Sequence, residues 1–150
     1  MEKTDYAELN AMLASITEGV PYTMTNLANA SALLNSSLKG INWVGFYTIK
    51  DNQLVLGPFQ GKVACTIIQM GKGVCGTAAA TDTTQLVPDV HKFPGHIACD
   101  SESNSEIVIP MHRNGEVFGV LDIDSPLFDR FSEEDRKGLE SFVKILEEVI

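Results

Sequence analysis

The chain has 150 residues, 20 of them Asp or Glu against 11 Lys or Arg, so its formal net charge is −9, and 44% of it is hydrophobic. That length and apolar share suit one domain with a real core, and with no run of about 18 apolar residues and no basic or apolar start in MEKTDYAELN, neither a membrane span nor a signal peptide is expected; the cytoplasm is the expected compartment. Lys and Arg nowhere cluster and an acidic chain repels a phosphate backbone, so the composition argues for a small solute as partner and against nucleic acid.

From Tyr6 the positions Leu9, Met12, Leu13 and Ile16 recur at helical spacing, after an Asp5…Glu8 pair that resembles a capping box and before Gly19. Pro21 suits the opening of a second helix with Met24, Leu27, Ala28, Leu34 and Leu38 as its stripe, closing at Gly40. The period then switches to two. Ile41 to Lys50 reads as a strand, Asp51-Asn52 as a turn and Gln53 to Leu56 as the partner strand. Cys65 to Gln69 reads as another strand, Gly71 to Gly76 as a glycine-rich turn opening an Ala-rich helix through Ala80, and Thr84 to Val87 as a short strand. Residues 88–105 lack periodicity, and an aperiodic segment of that length in a compact domain is usually a functional lid or a disordered stretch. A hairpin follows, Ser105 to Arg113 and Glu116 to Asp124, and a last helix starts at Ser132 with Leu139, Phe142, Val143, Leu146 and Val149 on its apolar face. These elements predict an α+β domain with helices layered on a mostly antiparallel sheet.

The hairpin register decides where its acids point. A two-residue loop separates Glu106 from Asp122, whereas a three-residue loop, Arg113-Asn114-Gly115 with Gly115 as a left-handed bulge, sets Glu106 opposite Asp122 and beside Asp124, with Phe118 and Val120 on the same face. The three-residue loop is therefore expected. Three converging carboxylates raise one another's pKa and call for a cation, such as an ammonium group, or a substrate that brings protons; a solvated outer face is the alternative. Residues 100–129 carry −6 of the net −9.

Cys65, Cys75 and Cys99 form an odd set, which argues against a static disulfide framework. Each suits a buried apolar site, except that Cys99 lies in the polar loop, where burial is hard to arrange, and Cys75 lies near a helix N-terminus whose dipole favours thiolate. Spacings of ten and twenty-four, with His91 and His96 as possible companions, match no structural zinc pattern, so no metal is expected. The Gly71–Gly76 turn can offer backbone N–H groups to an anion, although an ordinary strand-to-helix turn reads the same way. Trp43 and Tyr47 share a strand face, in the core or on a pocket rim, and His112 beside the hairpin turn is expected to face solvent.

Ile41-Asn42-Trp43-Val44-Gly45-Phe46-Tyr47, Leu56 to Gly61, Gly73 to Ala78, Phe93 to Asp100, Ser103 to Pro110 and Leu121-Asp122-Ile123-Asp124-Ser125 together resemble the free methionine-(R)-sulfoxide reductases, over nearly the whole chain. Members of that family are stand-alone GAF domains, so the resemblance implies a single GAF domain over residues 1–150, with the N- and C-terminal helices on one face of the sheet and a ligand pocket under loops on the other. It implies Cys99 as nucleophile, Cys65 as resolving cysteine and Cys75 as auxiliary. Glu106, Asp122 and Asp124 then line the substrate pocket, and Trp43 and Tyr47 form its aromatic wall. The implied activity is reduction of free methionine (R)-sulfoxide without a bound cofactor, with thioredoxin or another dithiol as reductant and a homodimer as the assembly. The alternative is a GAF module that senses a small ligand without chemistry, since one fold hosts many functions.

Overall fold

In the computed structural model, which describes residues 2–96 and 100–150, helices α1 (Tyr6–Thr17) and α2 (Thr23–Ser37) precede strands β1 (Trp43–Lys50), β2 (Gln53–Gln60) and β3 (Ile67–Gln69). Helix α3 (Gly73–Thr81), strand β4 (Gln85–Val87), strands β5 (Ser105–Arg113) and β6 (Glu116–Ser125) and helix α4 (Glu133–Glu147) complete the chain. The strands form one antiparallel sheet in the order β3-β2-β1-β6-β5-β4. The expected α+β layering is therefore observed, and the last helix starts at Ser132 as read, where Ser132 and Asp135 form a capping box.

Helices α1, α2 and α4 cover one face, where Leu13, Leu34, Leu139 and Phe142 pack on Val44, Phe46, Ile107, Ile109, Leu121 and Ile123. On α1 and α2 the buried stripe is narrower than expected, because Met12, Ile16, Met24 and Ala28 face outward. The opposite face carries α3 and a second apolar cluster that includes Trp43, Tyr47, Val74, Cys75, Val108 and Val120.

Several boundaries differ from expectation. Strand β1 begins at Trp43, α2 at Thr23 and β3 at Ile67, which leaves Cys65 in the loop before it, while β2 continues past Gly57-Pro58 to Gln60. The ladder shifts there, Gly45 pairing Phe59 and Tyr47 pairing Leu56, so Pro58 falls at the bulge, a position that asks no ladder hydrogen bond of it. Within the stretch read as aperiodic, part of residues 88–96 is regular. Val90–Lys92 form a 3-10 turn capped by Asp89, and Val90 is fully buried.

The β5–β6 hairpin corrects the expected loop. Arg113 pairs Glu116 directly, so the loop is the two residues Asn114-Gly115, both with positive φ (54° and 79°), as a type I′ turn requires. The odd residue sits instead in a bulge on β6, because His112 pairs Val117 while Met111 pairs Gly119. Glu106 thus pairs Asp124 rather than Asp122, yet all three acids keep one face. Phe118 crosses to the helix-side core and Val117 replaces it on the acid side. Gly119 permits the close approach of β6 to β1, where an added Cβ would stand 2.2 Å from the Tyr47 carbonyl oxygen.

Candidate active site

The register fixes the acids. Glu106 and Asp124 are direct cross-strand partners, and Asp122 stands two residues along β6 on the same face, opposite Val108. The N-terminal turn of α3 closes over them. A pocket of about 550 Å3, open mouth included, is lined there by Trp43, Tyr47, Lys72, Cys75, His96 and the three acids, with Asp100 and Ser103 at its side. Glu106 and Asp122 are each only 6% exposed, and Oδ1 of both Asp122 and Asp124 is buried with no donor reaching it.

Burial pushes the Glu106 carboxyl well above its usual range, and the charges of Asp122 and Asp124 push it further. Asp124 is raised well above the usual range by the same causes, burial first and then Asp122. Asp122 is also raised by burial, but hydrogen bonds from Glu106, Cys75 and Asp124 act in the opposite direction. Burial thus pushes all three carboxyls towards their protonated forms, and the set titrates as one unit.

His96 Nε2 lies 3.9 Å from Glu106 Oε1, but the contact is not an ion pair. Burial and His91 lower the His96 pKa while Glu106 is raised, so both groups favour their neutral forms. Cys75, expected to gain thiolate character from the helix, is a buried free thiol whose pKa burial raises strongly, with Asp122 adding to the rise. Desolvation and like charge outweigh the helix dipole here. The Tyr47 phenol is likewise raised by burial and by Asp122.

Trp43 and Tyr47 line the pocket, and their polar tips are taken up by backbone carbonyls. Trp43 Nε1 donates to the Lys62 carbonyl at 3.1 Å, and Tyr47 Oη donates to the Cys65 carbonyl at 2.9 Å. The two aromatics thus hold the β2–β3 loop that carries half-buried Cys65. Trp43 is stacked between Tyr47 and Phe59, with centroids 6.1 and 5.2 Å away, and Gly45 leaves the room, since an added Cβ would come 2.9 Å from the indole. On the other side, Asn42 Nδ2 donates to Asp100 Oδ2 and Ser103 Oγ, and Lys62 joins Glu102 at 2.7 Å across the two loops.

Of the residues singled out in the sequence, Trp43, Tyr47, Cys75, Glu106, Asp122 and Asp124 meet around this pocket. Cys99, and with it the proposed pairing to Cys65, lies outside the described residues. Lys72, Asp100, Ser103 and His96 as a pocket residue escaped the sequence reading; only the Gly71-Lys72-Gly73 helix start signalled any of them. Gly73, Val74 and Cys75 line the pocket with first-turn N–H groups that have no intrahelical acceptor, and Lys72 provides no side-chain cap. His112 departs from expectation: it is clasped between Asp82 at 2.6 Å and Glu147 at 2.7 Å, well away from the pocket. Among the described residues, Cys75, Glu106 and Asp122 are the group placed to hold a metal ion.

Comparison with known proteins places this architecture. The GAF domain family matches residues 8–150. The chain is 52% identical to the free methionine-R-sulfoxide reductase of Escherichia coli, over all of this chain and 92% of that protein. It superposes on the reduced form of fRMsr of Staphylococcus aureus with a TM-score of 0.96 at 52% identity, covering 98% of this chain and 96% of that one. It superposes on the free methionine-R-sulfoxide reductase of Neisseria meningitidis, solved with its substrate, with a TM-score of 0.93 at 42% identity, covering 99% and 92%. With that identity along its whole length, a matching fold and an acid-lined pocket between loops, the chain belongs to the free methionine-R-sulfoxide reductase family of GAF-domain proteins.

Proposed function

We propose that this protein reduces free methionine (R)-sulfoxide to methionine by a thiol cycle in the acid-lined pocket. The observation that carries the reading is that one buried strand face brings together three carboxyls, Glu106, Asp122 and Asp124, all raised by burial, in a pocket closed by the N-terminal turn of α3. Sulfoxide reduction needs both a nucleophile at sulfur and a proton for the departing oxygen. Asp122 suits the substrate ammonium, and Glu106 or Asp124 the sulfoxide oxygen. The α3 N–H groups and Lys72 suit the substrate carboxylate. A pocket that uses both charged ends of a free amino acid disfavours a peptide-bound residue, which has neither.

In the proposed cycle the Cys99 thiolate attacks the sulfoxide sulfur while the oxygen is protonated. The protonated oxygen passes from the methionine sulfur to Cys99 as the new S–S bond breaks and its electron pair returns to the methionine sulfur, so methionine leaves and Cys99 becomes a sulfenic acid. The Cys65 thiol condenses with it, releasing water and forming a disulfide, which an external dithiol such as thioredoxin returns to two thiols. The neighbouring acids disfavour the Cys99 thiolate until the substrate ammonium offsets their charge. Cys75 remains auxiliary. No helix among the described residues is long and apolar enough to cross a membrane, which is compatible with a cytoplasmic enzyme. Met12, Ile16, Tyr22 and Met24, exposed on and between α1 and α2, favour association of two copies through those helices.

The test is a dithiol-driven assay with free (R)-, free (S)- and peptide-bound methionine sulfoxide, on wild type and Cys99→Ser. Turnover of the free R form alone, lost in the variant, is expected. Full activity in Cys99→Ser would remove the nucleophile assignment, and no turnover in wild type would return the protein to the ligand-sensing class.

A further inference from the structure

Cys75 is the pocket thiol that the thiol cycle does not need, yet it sits among the buried acids. Its Sγ, an oxygen of Glu106 and an oxygen of Asp122 all lie within 4.8 Å of one another. Asp122 Oδ1, on a side chain more than nine-tenths buried and lining the pocket, has no hydrogen-bond donor, and His96 Nε2 stands 3.9 Å from Glu106 Oε1. We propose that Cys75, Glu106 and Asp122, with His96 as a fourth donor, form a binding site for a thiophilic divalent cation of the zinc class, which occupies the pocket in place of an organic ligand.

The donor set selects the ion. One thiolate, two carboxylates and an imidazole are zinc ligands, whereas magnesium and calcium need more oxygens and gain nothing from sulfur. Zn–S and Zn–O bonds of about 2.3 and 2.0 Å put donors around a tetrahedral zinc roughly 3.5 Å apart, so the group needs to close by on the order of 1 Å. Side-chain rotation supplies that without moving the strands. A divalent ion also neutralises acids that crowd one another in a buried place, displacing the protons they hold, so binding tightens as pH rises. The ligands come from α3, β5, β6 and the segment before β5 that carries His96, brought together by the fold, which is why cysteine and histidine spacing along the chain gives no sign of the site. The same space serves the cationic end of an amino acid in the proposed function, so ion and substrate exclude each other. The site itself depends only on the pocket's geometry and not on the reductase reading.

The test uses the full chain carrying Cys65→Ser and Cys99→Ser, which leaves Cys75 as its single thiol. Titration with Cd2+, followed by the ultraviolet thiolate-to-cadmium charge-transfer band, is expected to saturate at one equivalent and to reverse on addition of Zn2+. Adding Cys75→Ser should abolish the band, and Glu106→Gln or Asp122→Asn should weaken the affinity at least tenfold, with thermal melting confirming that each variant is folded. If Cys75→Ser does not fold, the two acid variants carry the test. No band, a band that survives Cys75→Ser, or an affinity unmoved by both acid variants would overturn the site. Because absorbance is read and not turnover, Cd2+ binding here together with no turnover of methionine sulfoxide by the wild-type protein would refute the enzyme reading alone.

Discussion

The two faces of the sheet are made by the same strands and obey different rules. Toward α1, α2 and α4, strands β5 and β6 present Ile107, Ile109, Leu121 and Ile123, which pack against Leu139 and Phe142 with almost nothing polar between them. Toward α3 the alternate positions of those strands bury Glu106 and Asp122, and Oδ1 of Asp122 and of Asp124 lacks a donor. Burying charge without partners costs stability, whereas burying apolar area supplies it. One face therefore holds the fold and the other spends part of that stability on chemistry.

The sharpest way to break this division is to damage each face alone. Phe142→Ala empties a fully buried site on the helix side and should destabilise the protein by about 3–5 kcal/mol, read from denaturant or thermal unfolding. Activity per folded molecule should stay near wild type, since Phe142 touches none of the pocket residues. A variant that keeps its melting temperature, or loses kcat while folded, would show that the two faces are not separate.

Glu106→Gln is the converse. Activity should fall on the order of 10²–10⁴-fold, the range supplied by a positioned acid, while stability holds or rises. The sign in pH follows from the raised carboxyl. A folded pKa above the unfolded value of about 4.3 favours the fold fully below that value, and the contribution is lost as pH climbs through the folded pKa. Wild type should thus lose stability as pH rises out of the ordinary carboxylate range, and the variant should lose less. Parallel stability curves for the two proteins would contradict this.

The helix-side face was largely legible in the sequence because periodicity reports burial: the α4 stripe, the alternation of β5 and that of β6 beyond its bulge appear as read. The acid face was legible in composition but not in register. Asn114-Gly115 is a type I′ signal, and the compensating residue went into a bulge at Val117 and Phe118 that no local pattern marks. Face consistency still placed Glu106 with the two aspartates, because shifts of two preserve the face. Lys72 and His96 reach the pocket through loop geometry, which sequence spacing does not encode. The anchoring of the β2–β3 loop by Trp43 and Tyr47 depends on carbonyls, and every residue has one.

His112 gives the smallest effect and links the two layers from outside the pocket. Placed at the end of β5, it joins Asp82 at the C-cap of α3 to Glu147 of α4. Partial burial lowers its pKa, but hydrogen bonds and charge from Asp82 and Glu147 outweigh this and leave it raised. Such a group supports the fold fully below its unfolded pKa of about 6.5 and loses that support as pH rises through the folded value. Solvent screening at this half-exposed position limits the contribution to about 0.5–1 kcal/mol. His112→Gln should therefore lower stability at pH 6 and converge with wild type above the folded pKa, at a pH where Glu106→Gln still differs from it. Because the carboxyl effect begins near pH 4 and the imidazole effect near pH 6.5, unfolding measured across that range separates pocket acids from surface clasp. An equal loss at all pH values would reduce His112 to a neutral hydrogen-bonding spacer between α3 and α4.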